Sequence, residues 1–122
     1  MIFESHAHYD DEAFDEDREE LLTSLKEHGI GNVINVGASL AGCKKTLELM
    51  EKYPFLYGAM GVHPGETAEL DEDGLAWLHQ QCSRDKVVAV GEIGLDYHWK
   101  EPEIPVQKRW FVRQLELARE VG

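Results

Sequence analysis

Lys86-Val87-Val88-Ala89-Val90-Gly91-Glu92-Ile93 is nearly continuous in apolar, mostly β-branched residues until it meets a carboxylate at Glu92. Such a run suits a strand covered on both faces, as the strands of a parallel sheet are. A charged group ending so apolar a strand is costly unless it is paired, hydrogen-bonded or bound to a metal. The stretch therefore predicts both a parallel sheet and a functional or structural use for Glu92.

Working outward, strands and helices alternate. Met1–Glu4 begins as a short apolar strand. Asp15–His28 carries Leu21, Leu22 and Leu25 at helical spacing and stops at Gly29, a C-cap signal. Asn32–Gly37 is rich in β-branched residues and reads as a strand. Ser39 can cap a helix running to about Lys52, with Leu47 and Met50 inward and Pro54 beyond its end. Phe55–Val62 is the next strand. Asp71 or Asp73 starts a helix holding Leu75, Trp77 and Leu78. After Lys86–Ile93, Pro105 opens a last helix whose apolar face is Trp110, Phe111, Leu115, Ala118 and Val121. The pattern is β-α-β-α-β-α-β-α, an α/β class with a parallel sheet. It fits a small doubly wound sheet or part of a (β/α)8 barrel, which needs about 250 residues. No repeat, low-complexity segment or linker divides the 122 residues, so one domain is expected.

The formal net charge is −12, from 24 acidic residues against 12 Lys and Arg. That surface repels nucleic acid and anionic lipid at long range, so a phosphate-bearing substrate needs a local reversal of sign, which a bound metal supplies. The acidic stretch Asp10, Asp11, Glu12, Asp15, Glu16, Asp17, Glu19 and Glu20 reads as a solvated helix start. Cys43 and Cys82 lie far apart with no CxxC spacing, consistent with reduced thiols. The opening Met-Ile-Phe-Glu-Ser carries no signal-peptide pattern, and no apolar run is long enough to span a membrane. A soluble cytoplasmic protein with no membrane partner is expected.

His6-Ala7-His8 places two imidazoles at strand spacing, so both project to one face at the carboxyl end of the first strand. Imidazole pairs bind zinc and other first-row metals. In parallel α/β proteins, functional residues gather at the carboxyl ends of strands. Glu92 ends the fourth strand at that level as a metal-ligand candidate, and His63, in Met60-Gly61-Val62-His63-Pro64-Gly65, ends the third. His63 reads either as a group near substrate or metal or as a loop histidine with an ordinary hydrogen bond. Asp96, Tyr97 and His98 line the next loop, where one of them can hydrogen-bond a ligand histidine. His28 and His79 read as structural, and Lys108, Arg109 and Arg113 as a solvated helix face. No GxGxxG or Walker loop follows a strand, and Ser5-His6 point to opposite faces, so nothing supports a serine or cysteine nucleophile.

Three motifs in order carry a family resemblance: Ser5-His6-Ala7-His8-Tyr9-Asp10, Gly61-Val62-His63-Pro64 and Gly91-Glu92-Ile93-Gly94-Leu95-Asp96-Tyr97. Gln107, Phe111, Gln114, Leu115 and Ala118 of the last helix fit the same pattern. With them the sequence resembles the N-terminal half of the TatD family of metal-dependent deoxyribonucleases, among the amidohydrolase-like TIM barrels. The resemblance implies four βα units of a (β/α)8 barrel, a truncated half barrel. It implies that His6 and His8 bind a first divalent ion (zinc, magnesium or manganese) and that Glu92 bridges to a second and is catalytic. His63 and Asp96 would contact substrate. The implied reaction is hydrolysis of phosphodiester bonds in DNA, in the manner of a 3'-5' exonuclease.

Family members continue for another half chain, which supplies further histidines and a late aspartate. Their absence here implies a fragment of incomplete activity, with open sheet edges available for self-association. Two other readings remain at this point: an amidohydrolase-type enzyme on a substrate other than nucleic acid, and a non-catalytic dimerising half barrel.

Overall fold

The computed structural model describes all residues, 1–122. Strands β1 (Ile2–Ala7), β2 (Ile30–Val36), β3 (Leu56–Met60) and β4 (Val87–Val90) alternate with helices α1 (Arg18–Ser24), α2 (Leu40–Lys52), α3 (Glu72–Gln81) and α4 (Ile104–Val121). The four strands form one sheet in the order β1-β2-β3-β4, every neighbouring pair parallel. Sequential neighbours joined by helical crossovers are the arrangement that right-handed βαβ units produce. β1 and β4 are left as free edges. Their carboxyl ends all lie on one side of the sheet, which positions the site.

Local chemistry explains the element ends. Ser39 caps α2 by accepting from the Gly42 amide at 3.0 Å, and Asp71 caps α3 through the Gly74 amide at 2.7 Å. Lys86 Nζ donates to the Met50 and Tyr53 carbonyls at 2.8 and 3.0 Å, closing the C-terminus of α2. The expected helix over 15–28 is shorter than its periodicity suggests. α1 occupies Arg18–Ser24, and a 3-10 turn, Leu25–His28, tightens before Gly29 adopts φ +85°. Glycine reaches that left-handed conformation without steric cost.

Leu22, Leu25, Val33, Leu47, Met50, Leu56, Met60, Leu75, Leu78, Trp110 and Leu117 belong to one hydrophobic core between the sheet and the helices. The opposite face of the sheet is open, with Phe3, Asn32, Ile34, Tyr57 and Val88 lining a shallow surface. This corrects the expectation for β4, which spans only Val87–Val90 and exposes Val88 and Ala89. Val88 lies on the open face and Ala89 on the other, and both are exposed in this edge strand, whose composition matches a doubly covered one. Leu115 and Val121 of α4, expected inward, are also exposed, whereas Gln107 and Gln114 are fully buried.

Candidate metal centre

His6 lies in β1 and His8 just beyond it, and their Nε2 atoms stand 3.1 Å apart. Glu92 comes in from the end of β4. Its Oε2 lies 3.4 Å from His8 Nε2 and 3.7 Å from His6 Nε2. One ligand atom from each of the three residues falls within a 4.8 Å cluster. A tetrahedral zinc with bonds of about 2.05 Å holds its donors about 3.3 Å apart. The donor set of two imidazoles and a carboxylate is therefore spaced to close on one ion and leaves an open position. His63 faces the other carboxylate oxygen, with Nε2 3.7 Å from Glu92 Oε1.

The two ring orientations differ in a way that assigns different uses. His8 Nδ1 lies 2.8 Å from the Val36 carbonyl, which can only accept, so Nδ1 carries the proton and the Nε2 lone pair is presented to the cluster. His63 Nδ1 accepts from the Gly65 amide at 2.9 Å, so in the neutral ring Nε2 carries the proton. His8 thus offers a ligand lone pair, and His63 offers a donor.

Three consecutive carbonyls at the end of β2 fix these residues. Val36 O holds the His8 ring at 2.8 Å, Gly37 O accepts from the Glu92 amide at 2.6 Å, and Ala38 O accepts from the His63 amide at 2.8 Å. The chain needs glycine at 37, because a Cβ there would sit 2.4 Å from Cys43 Sγ and 3.1 Å from Ala59 O.

Buried amides tie down the surrounding loops. Asn35, fully buried, accepts from the Tyr9 amide at 2.6 Å and donates to Asp10 Oδ1 at 2.9 Å and Thr46 Oγ1 at 2.8 Å. Arg18 donates to the carbonyls of Tyr9 and Asp11 and to Asp15, holding the loop that follows His8. Gln114 pairs with both main-chain groups of Val62, accepting from its N–H at 2.7 Å and donating to its carbonyl at 3.2 Å. Gln107 does the same for Asp96, at 2.7 and 3.0 Å. The expectation that the loop after β4 orients a ligand histidine is not met by Asp96. Its Oδ1 accepts from the His98 and Trp99 amides, and a main-chain carbonyl orients His8 instead.

Sequence reasoning missed Asn35 and the roles of the two glutamines. Their signal was present: Gln107, Trp110, Gln114 and Leu117 fall on one helical stripe, and amides inside an apolar stripe need partners. Of the residues set aside as structural, His28 bonds the Ser24 carbonyl at 2.9 Å, His79 lies 3.5 Å from Glu120, and Arg113 pairs with Glu72 and Glu116. Lys108 and Arg109 are exposed. No helix is long and apolar enough to cross a membrane.

Known proteins resemble this chain in sequence and in fold. The chain is 38% identical over its whole length to the uncharacterized metal-dependent hydrolase YabD of Bacillus subtilis, covering 48% of it. It is 30% identical over 89% of its length to the 3'-5' ssDNA/RNA exonuclease TatD of Cronobacter sakazakii, covering 41% of that protein. The crystal structure of YJJV, a TatD homolog from Escherichia coli, superposes with a TM-score of 0.88 at 34% identity, covering 98% of this chain and 47% of that one. The chain spans about half the length of the curated relatives it matches. The four βα units accordingly correspond to about half of a TIM barrel. The family described as TatD related DNase matches residues 3–122, and the chain belongs to that family of metal-dependent hydrolases.

Proposed function

We propose that this chain carries the first-metal half of a phosphodiesterase site acting on nucleic acid, in the manner of a 3'-5' exonuclease. The observation that carries the reading is the paired setting of the histidines: the His8 lone pair and the His63 N–H face opposite oxygens of Glu92. His6, His8 and Glu92 would hold a divalent ion. The residues would thereby gain a Lewis acid for a phosphoryl oxygen and for the attacking water. The chain's own residues do the rest. Glu92 would help hold the ion and would orient the attacking water. His63 donates its Nε2 proton to a non-bridging phosphate oxygen. Asp96 acts on substrate by setting the shape of the loop after β4. The names of TatD-type relatives as exonucleases support nucleic acid over cyclic amides or lactones as the substrate class.

Calorimetric titration with zinc tests the ligand assignment. One ion per chain is expected, and His6→Ala, His8→Ala and Glu92→Gln should each weaken binding at least about tenfold, since losing even an outer partner costs that much. His28→Ala, far from the cluster in sequence and exposed, serves as the control. Equal affinity in all four variants sinks the assignment. Hydrolysis of single-stranded oligonucleotides, phosphomonoesters and cyclic amides by the metal-loaded protein then separates the substrate classes.

A further inference from the structure

Leu95-Asp96-Tyr97-His98-Trp99, in the loop that follows β4 and Glu92, sets large aromatic rings in solvent. Trp99 is 74% exposed and Tyr97 49%. The loop is nonetheless ordered by specific bonds. Asp96 Oδ1 accepts from the His98 and Trp99 amides at 2.9 and 3.2 Å. Gln107 pairs with the Asp96 main chain from below and also donates to the Pro102 carbonyl at 2.8 Å. The His98 and Trp99 rings meet edge to face with centroids 4.9 Å apart, and Trp99 remains largely in solvent.

Both ends of the loop are tied to the centre. It leaves from Glu92, and the Glu101 carbonyl returns to within 3.9 Å of where a Cβ on Gly65 would sit, two residues past His63. Tyr97 and Trp99 are five and seven residues from Glu92, so at about 3.5 Å per residue their Cα atoms lie no more than about 18 and about 25 Å from its Cα. The rings stand beyond the carboxyl ends of the strands, where ligands of parallel α/β proteins bind. They are separate from the open sheet face of Phe3, Ile34 and Val88.

Charge favours a particular occupant. A chain of net charge −12 has no general attraction for a phosphate backbone away from the metal. Stacking of a base on an aromatic ring is indifferent to that charge and tolerant of sequence. A base inside a duplex already has both faces covered, so only an unpaired one is available. We propose that Tyr97 and Trp99 form a stacking surface for an unpaired nucleobase, which delivers the adjacent phosphodiester of a single strand to the His6-His8-Glu92 cluster. This rests on the nucleic-acid reading above and adds the residues that select single strands.

The test compares two probes on the manganese-loaded chain by fluorescence anisotropy. One is a short labelled oligothymidylate, and the other is a phosphodiester chain of equal length with an abasic spacer at every position. The oligothymidylate should bind between about fivefold and a hundredfold more tightly, the range base stacking commands. Trp99→Ala and Tyr97→Ala should bring that ratio toward one, and Trp99→Phe should restore much of it. Both rings are exposed, so neither truncation removes core packing, and circular dichroism checks this. Equal, metal-dependent binding of both probes overturns the stacking surface and leaves the phosphodiester reading standing. A base preference that survives both alanine variants overturns it as well. If neither probe shows metal-dependent binding, both readings fall together.

Discussion

Gly37→Ala tests the placement of the site by the end of β2. The new methyl would sit 2.4 Å from Cys43 Sγ, more than an ångström inside ordinary contact, and 3.1 Å from Ala59 O. Cys43 is fully buried and its Sγ donates to the Gly61 carbonyl at 3.3 Å, so it has little room to withdraw. Overpacking of this kind costs about 1–3 kcal/mol, offset by up to about 1 kcal/mol because alanine restricts the unfolded chain. A net loss of about 2 kcal/mol is expected, a large share of a stability of about 5–15 kcal/mol. Urea unfolding followed by circular dichroism measures it, the slope staying constant while the midpoint falls.

The second arm of the test is Cys43→Ala, which removes the atom the methyl strikes. Alone it leaves a small cavity and costs about 1 kcal/mol. Combined with Gly37→Ala it relieves the clash, so the double variant should be more stable than the sum of the singles by about 1–2 kcal/mol, within the range seen for contacting residues. Zinc affinity should follow the same cycle. The Gly37 carbonyl holds the Glu92 amide and its neighbour Val36 holds His8, so displacing it should weaken binding about tenfold, with recovery in the double variant. Strict additivity in stability, or unchanged zinc affinity in a destabilised Gly37→Ala, would falsify the placement argument.

Four further outcomes are expected. Gln114→Leu strands the buried N–H and carbonyl of Val62, each costing about 1–3 kcal/mol. The added leucine returns part of that, so urea unfolding should show a net loss near 2–3 kcal/mol. Burial pushes the Cys43 thiol up to about 11 and also raises Cys82, so both stay protonated at pH 8. Ellman's reagent at that pH should therefore label Cys43 only as the protein unfolds, and rapid labelling of both thiols in the native protein would contradict its packing. Arg18→Met removes the donors to Tyr9 and Asp11, and calorimetry should find weaker zinc binding with a smaller change in the urea midpoint. Desolvation lowers the Lys86 pKa, so the folded state binds fewer protons than the unfolded one as pH rises toward the ordinary lysine range. This lysine's contribution then grows with pH, while Lys86→Met, which loses two carbonyl partners on α2, should cost about 1–2 kcal/mol at neutral pH.

The alternation of strand and helix was legible because each segment buries one periodic set of apolar residues, and the caps at Ser39 and Asp71 are local chemistry. The candidate cluster was legible for a similar reason: His6 and His8 are two apart at the end of β1, and Glu92 ends an apolar run. Exposure was not legible. Val88 and Ala89 carry the residue types of a covered strand, yet they point to opposite faces and cover on each depends on what packs there. Leu115 and Val121 misled for the same reason, since an apolar residue on α4 reports no partner by itself.

Orientation was the other illegible part, and its cause is instructive. Val36, Gly37 and Ala38 contribute carbonyls, which every residue possesses, so no side-chain pattern marks them as the groups that hold His8, Glu92 and His63. What the sequence does encode is the space for them: glycine at 37, where a Cβ would strike Cys43, and amides at 35, 107 and 114, where a leucine would strand main-chain groups. A primary amide copies the donor and acceptor of a peptide group, so each of these side chains acts as a short extra piece of main chain between elements. Fixing ligands this way has an energetic advantage over carboxylate partners in so acidic a chain. An added anion near Glu92 would compete for the same cation and raise the repulsion already present, whereas neutral amides and carbonyls orient the rings and leave the charge of the centre to its ligands.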